Sequence, residues 1–319
     1  VYPILALFTV YISITVFRYF TEEKQRKEIK SAFSRYAPSN VVNEISHNPD
    51  KLKLGGEERE ISVLFIDLAG FTSYSEIYKP NTMIQILSEY FNEMTEQVFA
   101  FEGLLKEYVG DELMAIFGAP LEQEDHAKRA CLAALAMRDR LQAMRPVWES
   151  MNRPALRART GINSGTMLVG NVGSKYRFSY GALGDDVNLG SRLEGINKIY
   201  GTEMLIGENT AKHVEGSFLL REIDFVRVKG KEKPVRIYEL LGPLGTDLPE
   251  RTQSAYNYYS EGLEAYRSQR WSDAIELFAK GQELYQGDKT FEVMSLRCRI
   301  NQRQPPQADW DGAFRERRK

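Results

Sequence analysis

An α+β fold is predicted, in which two helices cover one face of a mainly antiparallel sheet. Three features of the 319-residue chain point to it. The β-rich apolar run ISVLFID at 61–67 reads as a central strand. Two stretches, 82–101 and 124–145, repeat apolar residues at helical spacing. Short strand-like runs separated by glycine-containing turns fill much of the remainder up to residue 241.

In chain order, residues 1–17 (VYPILALFTVYISITVF) carry no charge. That length is at the lower limit for crossing a bilayer, which takes about 20 residues. Arg18, Lys24, Arg26, Lys27 and Lys30 follow the apolar stretch, the reverse of a secretory leader. Basic residues on that side hold the following chain in the cytosol. The expectation is the end of a transmembrane helix in the cell (inner) membrane of a longer protein, with a buried core helix as the competing reading. Residues 18–36 are charged, with Phe20, Ile29 and Phe33 at helical intervals and Pro38 as a stop. A short helix at 40–45 and the Gly55-Gly56 break complete a connector over 18–56.

From 57 to 242 the elements form one unit. The helix 82–101 gathers Met83, Ile86, Leu87, Tyr90, Phe91, Met94 and Val98 on one face. Strands at about 103–109 and 112–117 flank a Gly110-Asp111 turn. The helix 124–145 is expected to close at Pro146. A hairpin of 157–169 and 176–182 around Gly173, a helix at 186–199, a strand near 204–206 and a hairpin at 218–241 follow. GPLGTDLP at 242–249 breaks the chain, and helices are predicted at 254–268, 271–285 and 289–302. Trp271, Ala274 and Phe278 make this unit, 250–304, similar to a tetratricopeptide (TPR-like) pair. One such unit cannot bury its own face, so it must pack on the preceding domain or on a protein partner. Residues 305–319 read as a polar, irregular tail.

Composition narrows the class. With 43% hydrophobic and 27% charged residues the chain is ordinary globular material. A net charge of −2 gives no basic surface for nucleic acid. Cys131 and Cys298 form no CxxC pattern and read as free thiols of a reducing compartment. His47, His126 and His213 have no ligand at close spacing, which argues against a histidine-based zinc site.

Three segments carry chemistry. Asp67 ends the apolar strand before Leu68-Ala69-Gly70-Phe71-Thr72. A carboxylate at a strand end can bind a hard cation, and the turn's N–H groups can face phosphates, although such an aspartate is commonly a cap or turn former. Asp111 sits in a hairpin that can bring it beside Asp67, or it serves only as the turn. Two such carboxylates repel unless divalent metals, roughly 3.5–4 Å apart, are shared between them. GDEL is similar to a diguanylate cyclase string, but GGDEF is absent. Asn188 and Arg192 are four apart on a helix and share a face, suited to a ribose and to charge on a transferring phosphorus, or merely exposed.

Together IDLAGFT, KEYVGDELMAIFG and GDDVNLGSRLE, in this order, resemble the class III nucleotide (adenylate/guanylate) cyclases over about 57–242. The connector RYAPSNVVNEI … KLKLGGEEREISVLFID and the tail DWDG are similar to those of bacterial members with an upstream CHASE2-type sensor. The resemblance implies a ferredoxin-like catalytic domain that binds two Mg2+ or Mn2+ ions per site. Asp67, Asp111 and the Leu68 carbonyl are then metal ligands. Phe71 and Thr72 lie in the phosphate-facing turn, Asn188 positions the ribose and Arg192 stabilises the transition state. Lys229, in VKGKEKP, matches a phosphate-contacting lysine. The family builds each site from two protomers, so a homodimer with two shared sites follows. An inactive, dimerising signalling module is the rival class.

The base is read from two positions. The residue four before the second metal aspartate is Glu107, not the neighbouring Lys106. Neighbours on a strand point to opposite faces, so only one should enter the pocket. A carboxylate only accepts hydrogen bonds and suits the N1–H and 2-amino edge of guanine. Gly181, seven before Asn188, leaves room for guanine O6 to meet a backbone N–H or a water. GTP is the expected substrate, with ATP the alternative.

Overall fold

Strand β1 (Gly55–Ala69) is buried without a break from Ile61 to Ile66, as expected of a strand covered on both faces. The computed structural model describes residues 10–18, 21, 23–24, 55–174, 177–228, 233–307 and 309–315. Residues 10–18 are helical. Among the described residues no helix is long and apolar enough to cross a membrane. Most of the predicted connector, and residues 1–9 of the apolar stretch, lie outside the described set. Gly55 and Gly56, read as a break, instead open β1 and pair with Asn171 and Gly170.

Helix α1 (Phe71–Ile77) follows β1 after Gly70, whose φ of 78° is left-handed. Sequence reading treated that stretch as a turn, because seven residues carry too little periodicity to betray a helix. Helix α2 (Pro80–Ala100) starts with proline in its first turn and buries Met83, Ile86, Tyr90, Met94 and Val98. Strands β2 (Leu104–Val109) and β3 (Glu112–Phe117) form the predicted hairpin. Helix α3 (His126–Ser150) runs through Pro146 rather than closing there. Packing overrides the lost backbone N–H: Trp148, beyond the proline, is buried and its Nε1 donates to Glu89 at 2.8 Å.

Strands β4 (Arg157–Ser174) and β5 (Arg177–Leu183) are an antiparallel pair, and helix α4 (Asp185–Tyr200) follows. Strand β6 (Met204–Gly207), the unpredicted short helix α5 (Glu208–His213), β7 (Phe218–Arg227) and β8 (Val235–Pro243) close the domain. Among these strands the sheet runs β2-β3-β1-β4-β6-β8-β7, with β5 on β4, and the pairs are antiparallel except at β4·β6. Leu64, Ile66 and Leu68 of β1 join the core under α2 and α3. Val63 and Phe65 face α4 on the other side, where they lie under Gly190. Helices therefore cover both faces, not one. The apolar run of β1 was itself the sign of this, since a strand covered on one face alternates apolar with polar residues.

Helices α6 (Glu250–Arg267), α7 (Trp271–Leu284) and α8 (Lys289–Arg303) form the C-terminal unit. They share one core with α4, β7 and β8 through Tyr200, Ile223, Tyr259, Phe278 and Phe291. Asp224 of β7 accepts hydrogen bonds from the Tyr200 hydroxyl and from Arg297 of α8, while Arg297 also donates to Tyr200 at 2.8 Å. Arg221 of β7 pairs with Glu239 and Asp288. The tail is not simply irregular. Trp310 stacks with Tyr266 and Trp271, and β9 (Phe314–Arg315) pairs in parallel with β7. The lone tryptophan and phenylalanine in a polar stretch were the missed signal.

Asp224 is 1% exposed, so losing its cation leaves an uncompensated buried charge. Arg297→Met is expected to lower stability by about 3–5 kcal/mol in urea unfolding. Adding Asp224→Asn should restore part of that loss; no change in the single variant would mean that the pair contributes nothing.

Candidate active site

Asp67 leaves β1 beside the β2–β3 turn, where Gly110 (φ 66°) lets the chain reverse before Asp111. The two carboxyl groups hydrogen-bond, and Asp111 also accepts from the Leu68 N–H. Burial first, then the hydrogen bond with Asp67 and its charge, pushes the Asp111 carboxyl up to about 7. Two carboxyl groups this close, one of them pushed toward its neutral form, mark a place that a divalent cation can take. The oxygen-only donor set fits a hard ion such as Mg2+ or Mn2+. Among the described residues no three Asp, Glu, His or Cys side chains converge as a metal cage. The pair would therefore need backbone, substrate or water oxygens to complete a coordination shell.

Residues beyond the motif list shape this corner. Arg159, opposite Asp67 in the β1·β4 register, donates to Asp67 at 3.1 Å and to Glu194 of α4 at 3.0 Å. Burial raises the Glu194 carboxyl to about 7 despite Arg159. Burial and the charges of Asp67 and Glu107 raise Glu112 as well. The hydroxyl of Tyr90 is buried beneath this acidic group without a hydrogen-bond partner among the described residues. Strand register, invisible in one sequence, was needed to find Arg159. Glu112 and Glu194 stood inside the quoted motifs and were passed over.

Helix α4 carries Asn188 and Arg192. Its first turn holds Asp185 and Asp186, which complement the helix dipole. The Asn163 side chain donates to the Asp186 carbonyl at 2.9 Å and ties this end to β4. Asn188 is exposed and Arg192 half-buried. Among the described residues neither side chain has a hydrogen-bond or ion-pair partner, and none joins them to Asp67 or Asp111. Phe71 packs against the main core, leaving its backbone as the part able to face a ligand, and Thr72 is exposed. Lys229 lies outside the described residues.

The base positions differ from expectation. The β2·β3 register shifts between Leu105 and Glu107, so two residues of β2 oppose one of β3. Such a bulge turns neighbours to the same face. Leu105 packs in the core under α2 and α3, and the Tyr108 hydroxyl meets Thr95 of α2 at 2.6 Å. Lys106 and Glu107, between them, both turn the other way. Strict alternation, which admitted only one of them to the pocket, does not hold. Lys106 also fills the space foreseen beside Gly181: a β-carbon there would lie 2.6 Å from Lys106 Cε.

A carboxyl raised in the folded state supports folding at low pH, and that contribution is lost as pH climbs toward its folded value. Asp111→Asn is therefore expected to raise the Tm in chelator at pH 8 by about 2–4 °C, with the gain vanishing near pH 4. Equal melting of the two proteins at pH 8 would contradict the Asp67–Asp111 contact.

Comparison with known proteins agrees with this geometry. Residues 56–242 match the model of the adenylate and guanylate cyclase catalytic domain. Adenylate cyclase 1 of Rhizobium meliloti is 35% identical over 213 residues, 66% of this chain and 32% of that protein. The adenylate cyclase of Anabaena cylindrica is 31% identical over 224 residues, 67% of this chain and 43% of its own length. The chain thus spans well under half of either relative. The crystal structure of the adenylyl cyclase CyaB from P. aeruginosa superposes with a TM-score of 0.55 at 31% identity, covering 62% of this chain and 98% of that one. That of the guanylyl cyclase Cya2 gives 0.55 at 32%, covering 60% and 95%. With the carboxylate pair, the Asn188/Arg192 helix and the sheet order in place, the chain belongs to the adenylate and guanylate cyclase catalytic-domain family.

Proposed function

We propose that this chain is the catalytic part of a nucleoside triphosphate cyclase that turns GTP into 3′,5′-cyclic GMP and pyrophosphate. The observation that carries the reading is the meeting of Asp67 and Asp111 in a fold whose α4 presents Asn188 and Arg192 without a side-chain partner among the described residues. Asp67, Asp111 and the Leu68 carbonyl would hold two Mg2+ or Mn2+ ions. When bound, these would acidify the ribose 3′-hydroxyl and offset phosphate charge. Asn188 fixes the ribose so that its 3′-oxygen faces the α-phosphorus in line with the departing pyrophosphate. Arg192 donates to the phosphate oxygens as charge builds on them. Phe71 and Thr72 bring backbone N–H groups toward the phosphates, and Lys229 adds a cation.

A homodimer with two shared sites is part of the proposal, since among the described residues no hydrogen bond or ion pair joins the aspartates to the side chains of Asn188 and Arg192. The Glu107 carboxylate, an acceptor suited to the N1–H and 2-amino edge of guanine, supports GTP over ATP. The reading of ATP as substrate is favoured by the two relatives described above, both adenylate cyclases. A membrane location rests on the uncharged residues 1–17 and the basic residues after them. We place the catalytic part in the cytosol beneath an upstream CHASE2-like sensor. The C-terminal helices are read as one TPR-like unit with a free face for a protein partner.

Given Mg2+ or Mn2+ and equal GTP and ATP, the chain is expected to form cyclic GMP faster than cyclic AMP; the reverse order selects the adenylate reading. Asp67→Ala and Arg192→Ala should each abolish turnover. Mixed in equal amounts they should recover about a quarter of the activity, because half of the dimers then hold one intact site of two. Activity unchanged by Asp67→Ala would leave an inactive signalling module or a different metal site, and no recovery on mixing would leave sites built within one chain.

A further inference from the structure

Lys106 is the unassigned charge closest to the base positions. Its Nζ donates to the Ser179 hydroxyl of β5 at 2.9 Å and stands 3.8 Å from Glu107 Oε1. Its stem lies over Gly181, and the side chain is 15% exposed. An ammonium group has three donors, and 3.8 Å is too long for a hydrogen bond, so the contact with Ser179 leaves donors to spare. The bulge puts this ammonium and the Glu107 carboxylate on one face, held there from behind by Tyr108 on Thr95 and on the Phe91 ring at 4.1 Å. Ordering Lys106 has already been accomplished by the fold, so a ligand need not supply it.

We infer that Lys106 is a second specificity-determining residue, donating to guanine O6 while Glu107 accepts from N1–H and the 2-amino group; this rests on the guanine reading of Glu107 above. The two charges match that edge in order, acceptor opposite donors and donor opposite acceptor. Adenine inverts both: its 6-amino group meets the ammonium and its N1 meets the carboxylate. A polar mismatch of that kind discriminates more strongly than shape does. Gly181 is explained by the same arrangement. Any side chain there would displace the lysine stem, so its role is to seat Lys106 rather than to leave room for water.

The test compares the full chain with Lys106→Met on GTP, ITP and 6-thio-GTP. ITP keeps O6 and lacks the 2-amino group, whereas 6-thio-GTP keeps both donors and replaces O6 with a poor acceptor. Lys106→Met should lower kcat/KM for GTP and ITP by about tenfold and for 6-thio-GTP by less than about twofold, mostly through KM. Lys106→Gln, which retains an N–H donor, should recover part of the preference for O6. Melting curves from circular dichroism report folding of each variant separately. Equal loss on all three nucleotides, no loss on GTP, or a glutamine variant indistinguishable from methionine would overturn the assignment. GTP preferred over ATP by the unaltered chain, with one of those results, removes Lys106 alone. ATP preferred removes the guanine reading and this inference with it.

Discussion

Helix α4 rests directly on the sheet because Gly161 of β4 and Gly190 of the helix both lack side chains. A methyl group on Gly161 would overlap the helix backbone at Gly190 and Glu194, and one on Gly190 would enter the side chains of Val63 and Phe65. That close approach fixes the helix along its whole length. Its N-terminal half holds Asn188 and Arg192, its middle reaches Asp67 through the Glu194–Arg159 bridge, and its end is gripped at Tyr200 by Asp224 and Arg297. The Asn188/Arg192 half-site therefore lies on one rigid element, which Arg159 ties to the aspartate half-site of the same chain.

Because Arg297 belongs to α8, the C-terminal unit shares the interior that holds this helix. The family match ends at residue 242, yet the packing does not. Lys289 lies over Gly201, directly after α4, and Tyr259 donates to the Ile223 carbonyl at 2.8 Å. These contacts answer the concern that a lone helical pair cannot bury its own face. They also make any force on the C-terminal helices a force on the end of α4.

Much of this was legible in the sequence, for identifiable reasons. The strong period of α2 and the Gly-Asp turn of the β2–β3 hairpin gave elements in the right places, and the three motifs named the carboxylate pair. What escaped depended on pairing across the sheet. Arg159 meets Asp67 only through strand register. Pro146 sits inside α3 because Trp148 and Arg145 anchor the turns around it, Arg145 by its bond to the Leu156 carbonyl at 2.9 Å. Lys106 and Glu107 share a face because of one extra residue in β2, which no local propensity announces.

That extra residue separates length from chemistry at the base-reading edge. Removing it would restore plain alternation: Leu105 and Tyr108 would still face α2, now two positions apart, and a single side chain between them would face the other way in place of two charges. Substitutions at 106 and 107, by contrast, leave the strand's frame intact. Point replacement along this strand thus keeps both outward-turned positions, whereas a one-residue deletion there gives one of them up.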